Sequence, residues 1–216
     1  MIFDVYYPFF SKKKGGLVPG VEPHPMEYND IKNNVLDSVD VRENIRKHRE
    51  GDPNAKIAIP SICFTGRSVG TRKNSDMIPT QFVMIDVDHC QDARKAWEEF
   101  KTIMTWDWVC DNVLIAHLTH SLGLHIYFKS QEGLKTLEEN MKWLNTQVDF
   151  SQWGDFDAVV HDFARISFAY LPEEALFENT WLYLNTEVEF PEYLKIPAFN
   201  PTQEKKQGEQ SKPKES

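Results

Sequence analysis

Apolar and polar residues alternate most cleanly over residues 81–88. There Val83, Ile85 and Val87 fall on one side of an extended chain, and Met84, Asp86 and Asp88 on the other. That period of two is the signature of a β-strand. Residues 113–118 and 124–129 read as two further strands; in the second, Leu124, Ile126 and Phe128 share one face while His125, Tyr127 and Lys129 share the other. The link His120-Ser121-Leu122-Gly123 is too short for a helical crossover, so these two strands are expected to pair antiparallel. Weaker strand patterns cover residues 1–10, 57–64 and 181–184. Helical patterns cover Val39 to about Glu50, after Ser38 and before a Gly51-Asp52-Pro53 stop, and residues 92–103. Another spans residues 134–148, where Leu134, Leu137, Met141, Leu144 and Val148 recur at helical spacing. Residues 11–25 and 65–79 read as loops, and residues 153–170 mix Asp155, Asp157, Asp162 and Arg165 with strand-like runs. Strands and helices intermingle, which predicts an α+β fold with helices packed on one face of a mostly antiparallel sheet.

Composition narrows the possibilities. From Pro201 the chain turns to Gln, Lys, Glu, Ser, Gly and Pro with no large apolar residue, which predicts one folded domain over residues 1–200 and a disordered polar tail over 201–216. A formal net charge of -9 argues against a protein that coats nucleic acid by charge alone, but leaves room for one local site. Cys63, Cys90 and Cys110 lie far apart without a CxxC pair, so no structural zinc site is expected and a reducing compartment is favoured. The apolar start contains Asp4 and is followed by Lys12, Lys13 and Lys14, the wrong order for a signal peptide. No stretch is long enough to span a bilayer, so the expected location is cytoplasmic, without a membrane partner.

Three segments carry candidate chemistry. In Ile85-Asp86-Val87-Asp88-His89 two carboxylates at i and i+2 project from one face of a strand. Like charges that close repel unless a cation offsets them, and hard cations such as Mg²⁺ or Mn²⁺ favour carboxylate oxygens. Acidic pairs at strand ends also simply face water or cap a helix. In the second segment His125 alternates onto the polar face of its strand, just after Ser121 and Gly123 in a tight turn. A lone strand histidine is usually half-buried and satisfied by a backbone carbonyl; beside a small hydroxyl residue and a glycine it can meet a phosphate. The third segment, Asp157 to Arg165, supplies Asp157, Asp162 and an arginine suited to holding phosphate or carboxylate in a bidentate fork. As plain structure, Asp162 and Arg165 would be a surface ion pair. Together the segments offer the parts of a two-metal site: carboxylates to bridge two cations and a positive group for the leaving phosphate.

In the order DxD, S-x-G-x-H, D…R, these segments resemble motifs I, II and III of the archaeo-eukaryotic primase superfamily. Within it the chain is similar to the primase-like family called the VirE N-terminal domain, found in phages and mobile elements of Bacteroides-type bacteria. The resemblance runs from about Asp40 to Tyr183 and includes Ala55-Lys56-Ile57-Ala58-Ile59-Pro60 and Phe64-Thr65-Gly66-Arg67. It implies an RRM-like catalytic core and a DNA primase or primase-polymerase acting on nucleoside triphosphates and a single-stranded DNA template, with a replicative helicase as a possible partner. It implies Asp86 and Asp88 as metal ligands and Asp157 as the third carboxylate, with Asp162 as the alternative. Ser121, Gly123, His125 and Arg165 would bind the nucleotide. The basic loop Arg67, Arg72 and Lys73 would contact template or triphosphate, or be a solvated loop. The zinc knuckle and fused helicase of many primases are missing from this sequence. A non-catalytic module that binds single-stranded DNA or a helicase is therefore a second expectation. A metal-dependent nuclease using His120 and His125 is a third, weakened by their five-residue spacing.

Overall fold

The strand carrying the two aspartates lies in the middle of the molecule, with its apolar alternation satisfied on both faces. The computed structural model describes residues 1–70, 72–156, 162–184 and 190–194. The chain opens with β1 (Ile2–Tyr6), β2 (Phe9–Ser11), β3 (Gly16–Val18) and β4 (His24–Glu27). A short α1 (Tyr28–Asp30) runs into a π-helical turn over Ile31–Leu36, and α2 (Val39–Arg49) follows. A 3₁₀ turn at Ala55–Ala58 leads to β5 (Ser61–Cys63), β6 (Gly66–Ser68) and β7 (Met77–Pro79). Next come β8 (Phe82–Asp88), α3 (Ala93–Met104), α4 (Trp106–Asn112), β9 (Val113–Leu118), β10 (Leu124–Lys129) and α5 (Leu137–Asn145). The last strands are short: β11 (Asp155–Phe156), β12 (Ser167–Phe168) and β13 (Ala175–Glu178).

Two sheets form the body. One has five strands in the order β11-β8-β10-β9-β13, the other four in the order β12-β5-β1-β4, and β2-β3 and β6-β7 make separate ribbons. Neighbouring strands run antiparallel. Val83, Ile85 and Val87 join Leu124, Ile126 and Phe128 against Trp97 and Phe100 of α3 and Leu137, Met141 and Leu144 of α5. On the opposite face Met84, Ile115 and Tyr127 pack with Phe3, Val5 and Ile62 from the smaller sheet, with Phe64 just beyond β5, and with Val41 and Ile45 of α2. Each such side chain contributes about 1.5–3 kcal/mol when fully buried. The predicted α+β class is therefore observed, with α3 to α5 on one face of the larger sheet and the second sheet on the other. Among the described residues no helix is long and apolar enough to cross a membrane.

Several boundaries differ from expectation for local reasons. Residues 1–10 hold β1 and the start of β2 rather than one strand, and residues 11–25 hold the end of β2, β3 and the start of β4 rather than one loop. The strand expected over 57–64 shortens because Ala55–Ala58 is a 3₁₀ turn. Residues 65–79 contain the β6–β7 ribbon, joined to β1 where Asp4 Oδ2 accepts from the Ser68 N–H. The third helix begins at Leu137, not Leu134, because Thr136 and Glu139 close a capping box that fixes its start. The strand expected at 181–184 is corrected: Thr180–Tyr183 is a 3₁₀ turn capped by the Asn179 side chain, which accepts from the Trp181 N–H. The edge strand there is β13, whose register against β9 shifts between Ala175 and Phe177. The tail over 201–216 lies outside the described residues.

The end of β8 is gripped by close backbone approach. A Cβ on Gly154 would meet Asp88 O at 2.4 Å, so β11 reaches β8 only with glycine before it. Gly154→Ala is expected to cost about 1–3 kcal/mol through overpacking, lowering the melting temperature measured by circular dichroism; an unchanged melt would mean the β11 edge is not held as described.

Candidate active site

Antiparallel register sets the site. His125 lies opposite Asp86 on one side and opposite His117 on the other, so His117, His125 and Asp86 form one row across β9, β10 and β8. The row shares the face of Met84, Ile115 and Tyr127 and so points toward the smaller sheet. A carboxylate there must be matched by donors, because an unmatched buried charge is strongly destabilising. Asp86 is 8% exposed. Its Oδ1 accepts from His125 Nε2 at 3.0 Å, and its Oδ2 from Arg165 Nη2 at 2.8 Å. Burial alone would push its pKa up, but the bonds from His125 and Arg165 outweigh burial and hold it well below the usual carboxylate range.

Partners outside the predicted set complete the row. His125 Nδ1 is 2.9 Å from Ser167 Oγ of β12, which ties the two sheets together, and Ser167 Oγ lies 3.4 Å from His117 Nε2. His117 is fully buried, and its Nδ1 donates to Leu118 O at 2.9 Å. Burial drives its pKa far down, so it stays neutral. Its ring stacks on Tyr170 with centroids 3.9 Å apart. His117 was recoverable from sequence by counting back across the five-residue turn from His125. Ser167 was not, because it comes from the other sheet.

The turn between β9 and β10 is held from both sides. Thr119 Oγ1 accepts from the Ser121 and Gly123 N–H groups, and a Cβ on Gly123 would meet Val87 O at 2.7 Å. Glycine at 123 is therefore a packing requirement against β8. From outside, Arg49 of α2 donates to His120 O at 3.0 Å and Thr119 O at 3.3 Å while its fork grips Glu174. Ser121 is exposed, with Oγ 3.5 Å from His48 Nε2. His120 is buried beside His48, ring centroids 4.9 Å apart. Burial first, and then the charges of Lys56, His48 and others, push its pKa down to about 3.

The remaining predicted residues fall into two groups. Asp88 is exposed at the end of β8, directly opposite Asp155 of β11. Asp155 in turn is 2.9 Å from His89 Nδ1. Like charges directly opposite each other are unfavourable without a counter-charge. Asp157 lies outside the described residues. Asp162 is exposed, and its Oδ1 accepts from the Ala164 N–H at 2.7 Å, which caps the turn leading to Arg165. Arg67 and Lys73 are exposed on and beside the β6–β7 ribbon, and the Arg72 guanidinium sits 5.7 Å from the Tyr6 ring. The structure thus joins Asp86, His125 and Arg165 by direct bonds, with Asp88 one step outward and the basic ribbon residues elsewhere.

Among the described residues no group of three or more His, Cys, Asp or Glu side chains is arranged to hold a metal. The donor chemistry at the β8 end nevertheless fits a hard cation: Asp88 and Asp155 offer exposed oxygens, and each Asp86 oxygen keeps a second lone pair beyond its protein bond.

The depressed pKa of Asp86 has a stability consequence with a definite sign. Its contribution is fully present above the unfolded carboxylate value of about 3.9 and is lost as the pH falls through the lower folded value. Arg165→Leu is expected to cost about 1–3 kcal/mol at neutral pH, discounted for the partial exposure of Arg165. In denaturant melts the gap between variant and wild type should close in acid; a gap independent of pH would exclude this origin. Compared with known proteins, the chain matches no family model, no curated protein and no solved structure.

Proposed function

We propose that this chain is a metal-dependent nucleotidyltransferase of the DNA primase or primase-polymerase type, acting with nucleoside triphosphates on single-stranded DNA. The observation that carries the reading is Asp86 accepting from both His125 and Arg165. Residues from the DxD, S-x-G-x-H and D…R segments, far apart in sequence, thereby meet at one carboxylate. In this reading the larger sheet with α3 and α5 is the RRM-like core of a primase domain from a phage or mobile element.

In this reading the roles are those that the order of the three motifs assigns. Asp86 and Asp88 would hold Mg²⁺ or Mn²⁺ with Asp157 as third carboxylate, or Asp162 in its place. When bound, two such cations would activate an attacking 3′-hydroxyl and stabilise the leaving pyrophosphate. Arg165, already fixed on Asp86, supplies positive charge for a phosphate beside it. His125 is held by Ser167 through Nδ1 and by Asp86 through Nε2, so contact with a triphosphate would require it to exchange one of those bonds. Ser121 and Gly123 shape the turn at which the phosphates lie, and Arg67, Arg72 and Lys73 contact template or triphosphate.

Among the described residues no group of three or more His, Cys, Asp or Glu side chains is arranged to hold a metal, and this favours the second reading, a non-catalytic module for single-stranded DNA or a helicase. Primer synthesis on a single-stranded circle with Mn²⁺ separates the two. On the enzymatic reading the Asp86→Ala/Asp88→Ala variant loses at least about 100-fold in product, more than the 10- to 100-fold typical of losing an outer-shell partner. Equal product from variant and wild type excludes that reading. No product from either, with DNA binding that survives EDTA, identifies the non-catalytic module.

A further inference from the structure

We propose that the β2–β3 hairpin is a grip for single-stranded nucleic acid, with Phe10 stacking on a base, Leu17 packing beside it, and Lys12, Lys13 and Lys14 binding phosphates. The hairpin pairs Phe10 directly with Leu17 and Ser11 with Gly16. Phe10 is 64% and Leu17 49% exposed, so a cross-strand apolar pair stands in water. The three lysines, all exposed, occupy the tip. Its backbone is fixed: the Lys14 and Gly15 N–H groups donate to Ser11 O at 3.2 and 2.8 Å, and Gly15 takes φ +66°. No acidic residue occurs between Asp4 and Glu22. In a chain with net charge -9 this is a concentrated basic point, and three adjacent like charges are relieved by a polyanion.

Aromatic area beside lysine is the pattern that binds unstacked bases together with their backbone. Its geometry favours a nucleic-acid strand over a lipid surface. A hairpin that enters a bilayer carries apolar residues at its tip; here the charge is at the tip and the apolar pair on the flank. A chain of contacts also links the hairpin to the candidate site. β3 packs against the Ala55–Ala58 turn, Lys56 Nζ of that turn sits 5.1 Å from the Phe168 ring, and Phe168 adjoins Ser167, the partner of His125. The choice of a DNA template as the strand rests on the primase reading; the binding itself does not.

Fluorescence anisotropy with the full chain and a labelled oligothymidylate of about 20 nucleotides, longer than the ~4–16 that one such platform covers, tests the proposal. The Lys12→Ala/Lys13→Ala/Lys14→Ala variant should bind at least about tenfold more weakly at low salt, and its salt dependence should flatten by up to about 2 in slope. Phe10→Ala should weaken binding roughly 5- to 150-fold, and Phe10→Trp should restore it, with thermal melts unchanged throughout. Wild-type affinity in both alanine variants, or no binding by wild type, overturns the proposal. So does loss of binding to phosphatidylserine vesicles with oligonucleotide binding unchanged, which would assign the hairpin to a membrane. If wild type makes no primer yet the hairpin variants lose oligonucleotide binding, the grip stands and the primase reading falls. If primers are made and the variants bind as wild type, the grip falls and the primase reading stands.

Discussion

A carboxylate buried between two sheets sets the terms for everything around it. Asp86 sits on a strand whose neighbours on both faces are apolar, where an ionised group without partners would cost several kcal/mol. Two donors remove that cost, and they come from different places: His125 from the adjacent strand and Arg165 from the segment leading into the second sheet. The polar contact is therefore also a tertiary constraint. His125 extends it by bonding Ser167 of β12, so the side-chain row that satisfies the carboxylate also bonds the sheets to each other.

The tie needs the turn between β9 and β10 to be in register, because a slip of one residue would turn His125 to the helical face and bring Leu124 or Ile126 opposite Asp86. Three devices hold it: the Thr119 hydroxyl inside the turn, the close approach of Gly123 to Val87 O, and Arg49 bonding the turn carbonyls from α2. Beyond His117 the polar chain resumes. Tyr170 stacks on that histidine, its hydroxyl meets Tyr28 at 2.9 Å, and Tyr28 donates to Glu178 at 2.6 Å. Burial opposes the charge on Glu178, but Lys32, Tyr183 and Tyr28 together hold its pKa below the ordinary value.

What could be read from sequence follows the range of the forces involved. Strands β8, β9 and β10 show as short, mostly apolar runs because each buries both faces along nearly all its length, and the tight turn between β9 and β10 fixes their pairing. Local capping decided the start of α5 within a few residues. Asp86 and His125 were legible because both are polar residues on an otherwise apolar strand. Ser167, Arg49 and the pairing of Asp155 with Asp88 were not, since each acts across many residues of chain and two of them lie in short segments with little periodicity. The β2–β3 hairpin straddles the boundary between the strand pattern of residues 1–10 and the loop pattern of 11–25 for a related reason: with both faces largely in water, it carries no burial pattern to betray it.

The two aspartates of β8 differ in a way their sequence spacing conceals. Asp86 is buried and bonded on both oxygens, so its charge is balanced before any ligand arrives. Asp88, two residues on, is exposed and faces a second carboxylate across the sheet edge. Charge balance therefore runs out along the strand from inside to outside. On the primase reading Asp86 both aligns His125 and Arg165 and, with Asp88, would hold the cation through the lone pairs that its protein bonds leave free. A site built in this order keeps its geometry without ligand, because the groups that fix it are satisfied by the protein itself.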